Sequence, residues 1–296
     1  MVARRAFCQV LAGAMAAVLL GTAPGVSQAG PGRGAIRLIV RADDIGSCHA
    51  ANLACIQSYR EGIARSTEVM VPCPWFSEAA AMLRENPGYD VGVHLTLTSE
   101  WSGYKWGPLT QAPSLVDPNG HFLPMTSQRT DFPPNTGFLQ SKWRIEEVEK
   151  ELRAQIELAK KMIPQVSHLS SHMGTPTSSP ELRALVQRLS KEYGLPIDTP
   201  GTRRFRWEAD SKSTFQQREA ALIRALEDLR PGTWILVEHP GLDTPEMQGM
   251  GHKGYWEVAK HRDAVTKAFT SPKVKKVIER RGIELVSYGQ MWPGQQ

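Results

Sequence analysis

Short apolar runs alternate with amphipathic stretches from Ile36 almost to the end of the chain, and this alternation limits the possible folds more than any other feature. Residues 36–42 (IRLIVRA), 67–71, 91–97 (VGVHLTL), 166–171, 233–238 (TWILVE) and 283–287 read as strands, with a further short one at 195–198. Between them, residues 48–61, 75–86, 144–163, 180–193, 214–229, 255–269 and 272–281 read as helices. Local chemistry marks the ends. Ser179 precedes Pro180 and Gly194 follows Tyr193, while Ser271 precedes Pro272 and Gly282 follows Arg281. A strand that returns through a helix comes back parallel to its predecessor. About seven such strands in a chain of this length suit an α/β fold, a distorted TIM-like (β/α) barrel, better than a dinucleotide-binding sheet. No Gly-x-Gly-x-x-Gly turn follows the first strand.

Two segments stand outside this rhythm. Residues 1–29 carry Arg4-Arg5, an apolar run (VLAGAMAAVLL, 10–20) and small residues ending in Ala29, the pattern of an export signal of the general or twin-arginine kind. The run is short for a bilayer span, which needs about 20 residues. The expectation is therefore a periplasmic or extracellular mature chain, 30–296, with one domain and no transmembrane segment. Residues 101–142 form an insertion rich in Pro, Gly, Thr and aromatics, read either as a functional loop or as a surface elaboration. The 41% hydrophobic and 22% charged composition excludes a disordered chain. A formal charge of +5 without a basic run gives no nucleic-acid surface. Cys48, Cys55 and Cys73 form no CxxC pair, so a thiolate metal site is not expected, and one disulfide stays open. The oligomeric state is likewise open, a homo-oligomer included.

Polar residues gather where predicted strands end, the rim on which (β/α) barrels build their sites. Asp43-Asp44 closes the first strand, His94 lies near the end of the third, His168 and His172 span the fourth, and His239 follows the sixth. Each has a plain alternative. Asp is favoured as a helix N-cap, and a strand histidine is commonly a hydrogen-bonded core residue. His168 and His172 share one strand face, with His172 nearer the rim and His168 placed to pack or support. Taken together, a carboxylate and two imidazoles make a three-ligand catalytic metal site with open positions. A spare Asp and a spare His then supply base and acid. Trp101, Tyr104 and Trp106 open the insertion and read either as sugar-stacking faces or as local packing.

The segments LIVRADDIG (38–46), GIARSTEVMV (62–71), VGVHLTLT (91–98), SHLSSH (167–172), VEHPG (237–241) and SPKVKKVIERRGIELVSY (271–288) resemble the YdjC-like carbohydrate deacetylases, which include chitooligosaccharide deacetylases. The resemblance implies a TIM-like barrel with fewer than eight strands, one divalent ion (zinc or magnesium), and an acetylated sugar or oligosaccharide as substrate. It implies Asp44, His94 and His172 as metal ligands, Asp43 as general base and His239 as general acid. This chain departs from the family pattern in having Ser170 for the Asp between the histidines, Met173-Gly174-Thr175-Pro176 for a His-rich run, and Ile45 for a phenylalanine.

Rival readings are an O-deacetylase, a non-haem iron oxygenase, a glycosidase using Asp43 and Glu238, and a secreted protein that binds sugar without catalysis. The close His-x-Asp pair common in such oxygenases is absent, and the glycosidase reading leaves His94 and His172 unexplained. No GxSxG occurs, which weighs against a serine hydrolase.

Overall fold

The computed structural model describes residues 34–293. The expected export signal lies outside the described residues. The sheet contains seven strands, all parallel: β1 (Ile36–Ile45), β2 (Ser66–Val69), β3 (Val91–Leu95), β4 (Val166–Ser171), β5 (Thr202–Arg204), β6 (Gly232–Glu238) and β7 (Ile283–Leu285). Their order is β4-β3-β2-β1-β6-β5, with β7 also on β1, and the sheet curls into an open half-barrel flanked by helices. This is the expected α/β architecture, a distorted TIM-like barrel left open between β4 and β5.

The ten-residue β1 is the spine. Its first half pairs with β6 and β7, and its second half with β6 and β2. Covered on both faces, it is buried almost throughout, and only Arg37 and Arg41 reach partly to solvent. The strand continues past the expected end at Ala42 and carries Asp43 and Asp44 inside its ladder. Neither Asp caps the following helix α1 (His49–Arg60). Cys48 is the N-cap, its sulfur accepting from the Ala51 N–H at 3.3 Å.

Helices α2 (Phe76–Arg84), α3 (Ile145–Met162), α4 (Pro180–Tyr193) and α5 (Phe215–Glu227) lie close to the expected segments. On α3 the buried positions Val148, Glu151, Leu152, Gln155, Ile156 and Ala159 recur at helical spacing. Two of them are polar, and both brace the rim. The Gln155 amide clamps both backbone groups of Thr96, just beyond His94, while Glu151 accepts from the N–H groups of Leu109 and Thr110. The insertion is thereby anchored, with two 3₁₀ turns at Pro113–Leu115 and Phe138–Gln140 as its only helical pieces among the described residues.

After β6 come α6 (Pro245–Gln248), α7 (Val258–Thr270), α8 (Pro272–Arg281) and α9 (Tyr288–Met291). Two expectations need correction. Residues 195–198 are not a strand. Pro196 has no N–H to give a ladder, so the segment makes one backbone bond to β4, Leu169 N–H to the Pro196 carbonyl at 2.9 Å, while Leu195 N–H turns back to the Ser190 carbonyl, and the fifth strand forms later, at β5. Helix α7 starts at Val258 because Tyr255 is held in an antiparallel bridge with His252. Cys48, Cys55 and Cys73 are free and buried.

Gly92 marks a point of close approach within the sheet. A Cβ there would collide with the Glu68 carboxylate and the His168 ring. Gly92→Ala is expected to cost about 1–3 kcal/mol through this overpacking. An unchanged denaturation midpoint would show that the pair beneath it can move aside.

Candidate metal centre

The site begins with a fault in the regular geometry of β1. Alternation sends residues 41 and 43 to one face and 44 to the other. Arg41 and Asp43 obey this, and the guanidinium grips the Asp43 carboxylate through two bonds of 2.6 and 2.7 Å. Asp44 does not obey it. Its φ is +73°, and the ladder with β2 shifts register between Asp43 and Ile45. This bulge turns the second carboxylate toward the first. Asp43 Oδ2 lies 3.6 Å and Asp44 Oδ1 3.7 Å from the same atom, His94 Nε2. Adjacent acids in one strand thus meet at one point.

His172 follows β4 directly, where the chain turns through Met173 and Gly174 at positive φ. Its Nδ1 lies 3.5 Å from Asp44 Oδ1. One atom each from Asp44, His94 and His172 falls within 4.8 Å of the others, and all three residues are buried. The far nitrogens are engaged: His94 Nδ1 meets Ser170 Oγ at 2.7 Å, and His172 Nε2 meets Glu100 Oε2 at 3.0 Å. Asp44 Oδ2 accepts from Arg262 at 2.7 Å, yet Asp44 Oδ1 is buried without a hydrogen-bond partner. An orphaned carboxylate oxygen between two anchored imidazoles is the donor set that a divalent cation completes.

The electrostatics agree. Burial would raise the Asp44 carboxyl, but Arg262, then His239 and His172, hold it well below the usual range. Burial, followed by the neighbouring His172, pushes His94 down to about 4 against the pull of Asp43, so its ring is neutral at pH 7. Burial lowers His172 as well, but Glu100 and Asp44 outweigh it and push the ring up to about 10, so a cation would displace a proton there.

Asp43 stands beside the triad, within reach of the same His94 atom but held by Arg41. His239 is half-buried just past the Ala42–Glu238 pair, which sets it on the rim next to Asp43. His168 lies deeper. Its Nε2 meets Glu68 Oε1 at 2.8 Å and its ring stacks on Tyr288 at 3.7 Å. Glu238 accepts from Trp207 Nε1.

The aromatic trio is arranged as packing. Trp101 and Trp106 are each 3% exposed, so their faces are covered by protein. Arg262 lies 5.3 Å over the Trp101 ring, which also stacks against His252. Trp106 presents its ring to His172 at 6.2 Å. Tyr104 is half-buried and donates to the Ser47 carbonyl. Trp101 and Trp106 are packed within the protein, and Tyr104 keeps part of its ring exposed.

Four functional groups escaped the sequence reading: Arg41, Glu68, Glu100 and Arg262. Of these, Arg41 and Glu68 left a signal, each a charge within a strand.

The family model for YdjC-like proteins matches residues 37–280. A carbohydrate deacetylase of Thermus thermophilus is 32% identical, the match covering 81% of this chain and 89% of the relative. One from Brevibacillus brevis is 27% identical, over 86% of this chain and all of the relative. Among solved structures, one described as a candidate cellobiose-phosphate cleavage protein of Enterococcus faecalis superposes with a TM-score of 0.68 at 25% identity, over 86% of this chain and 98% of that one. A match across most of the chain, with a relative above 30% identity, shows that the chain belongs to the YdjC-like family.

Proposed function

We propose that the chain is an exported, metal-dependent hydrolase that removes acetyl groups from N-acetylated sugars or oligosaccharides. The observation that carries this reading is the pairing of an orphaned Asp44 oxygen, facing His94 and His172, with a second carboxylate, Asp43, fixed beside it. The relatives that share the family are carbohydrate deacetylases, which supports the substrate class. The leader-like residues 1–29 support export. No helix among the described residues is long and apolar enough to cross a membrane.

Asp44, His94 and His172 would hold the ion. When bound, zinc or magnesium supplies Lewis acidity toward an acyl oxygen and a water. The chain's own groups do the rest. Asp43 takes a proton from the attacking water, with Arg41 keeping its carboxylate aimed. His239, just past the adjacent strand β6, gives a proton to the departing amine as the C–N bond breaks. Trp106, buried with its ring edge-on to His172, covers that side of the site. The products are acetate and a free amino sugar.

The test is acetate release by residues 30–296 from a panel of N- and O-acetylated sugars, with added zinc or magnesium and with chelator. Release that needs metal and an N-acetyl group is expected. Release from O-acetyl substrates alone would reassign the bond cleaved, and no release by protein carrying bound metal would end the deacetylase reading.

A further inference from the structure

We propose that Glu68 is a positioning residue for the metal site, setting the tautomer of His94 through the hydroxyl of Ser170. This rests on the metal-site reading above.

Glu68 is fully buried in β2, between β1 and β3, and contacts no substrate-facing surface. A buried carboxylate is costly unless hydrogen bonds surround it. Here they do. Oε1 accepts from Ser66 Oγ at 3.1 Å and faces His168 Nε2 at 2.8 Å, Oε2 accepts from Ser170 Oγ, and Arg41 Nε lies 4.0 Å away. The position is locked from several sides. His168 is flat against Tyr288, its Nδ1 meets Ser167 Oγ at 2.8 Å, and Gly92 leaves the room that the Glu68–His168 pair occupies.

The consequence runs through one proton. Ser170 has a single hydroxyl hydrogen, and the carboxylate takes it. Its oxygen can then only accept from His94 Nδ1, 2.7 Å away, so the ring proton sits on Nδ1. That leaves the Nε2 lone pair facing Asp44 Oδ1. Without the carboxylate, the hydroxyl is free to donate to Nδ1. The ring proton then moves to Nε2 and points an N–H at the place a cation needs. Partners of this kind fix ligand histidines in metal sites generally, but here the carboxylate works from a neighbouring strand with a serine as the link.

Three variants of the full chain test this: Glu68→Gln, Ser170→Ala, and the double variant Glu68→Gln/Ser170→Asp, which puts a carboxylate next to His94 directly. Zinc affinity, read by competition with a chromophoric chelator, is expected to fall by about 10–100-fold in Ser170→Ala and to fall in Glu68→Gln. The double variant is expected to regain affinity over Glu68→Gln. Proton–nitrogen NMR of the metal-free protein should show His94 protonated on Nδ1 in the wild type and shifted toward Nε2 in Ser170→Ala. Wild-type zinc affinity in folded Ser170→Ala, or a wild-type His94 already protonated on Nε2, overturns the proposal. If the wild-type chain binds no zinc, the metal-site reading fails, and the NMR arm still decides the tautomer.

Discussion

Asp43→Asn is expected to lower turnover by about 10²-fold or more while the protein still takes up one metal ion. The substitution removes a proton acceptor but keeps the shape of the carboxylate that Arg41 holds. The ligand set is untouched, because the oxygen that lacks a partner belongs to Asp44. Steady-state kinetics and a metal titration on the same preparation separate the roles. Full turnover would move the base elsewhere, His239 being the next group on the rim. Loss of metal with loss of turnover would make Asp43 a ligand.

Arg262→Met is expected to destabilise the metal-free protein by about 3–5 kcal/mol, because it strands a buried carboxylate without its cation. Arg262 and Asp44 are 2.7 Å apart, with side chains 5% and 2% exposed. For a chain of this size the change corresponds to a drop in Tm on the order of 10 °C. Saturating zinc should recover more of that loss in the variant than it adds to the wild type. The reason is competition: in the wild type two cations share one carboxylate, and in the variant the ion has it alone. Metal affinity should therefore rise as metal-free stability falls. Equal losses with and without zinc would mean that Arg262 serves packing against Trp101 and not charge balance.

The parts of the fold that were legible in the sequence are those written in local chemistry. Ser179-Pro180 and Gly194 bound α4, and Ser271-Pro272 and Gly282 bound α8, with the expected limits reproduced residue for residue. Their caps are hydrogen bonds within a few residues of one another, so the local sequence carries the information. The end of β1 was not legible in this way. Nothing in Arg-Ala-Asp-Asp announces a +73° φ, which is imposed by the shift in pairing with β2. The three residues that the resemblance implies as ligands do come together in the fold, each lying at or beside the end of a strand. The groups that brace them were harder to read. Glu100 lies in an irregular stretch, and Arg262 sits on α7 among other charged residues. Ser170 looked like a loss, standing where the family resemblance implies an acid. The fold places Glu68 within hydrogen-bonding reach of it, which no one-dimensional pattern joins to position 170.

The spine role of β1 also gives the site a history. Asp44, His94 and His172 all belong to the run β1 to β4, which is consecutive both along the chain and across the sheet. His239 and Arg262 arrive with β6 and α7, and β6 joins β1 by pairing Gly232–Glu238 with Ile36–Ala42 across most of the chain. A ribosome adding roughly 5–20 residues per second needs on the order of ten seconds to go from His172 to Arg262. For that interval the nascent polypeptide already has the three side chains of the candidate metal site and lacks the arginine that later neutralises one of them.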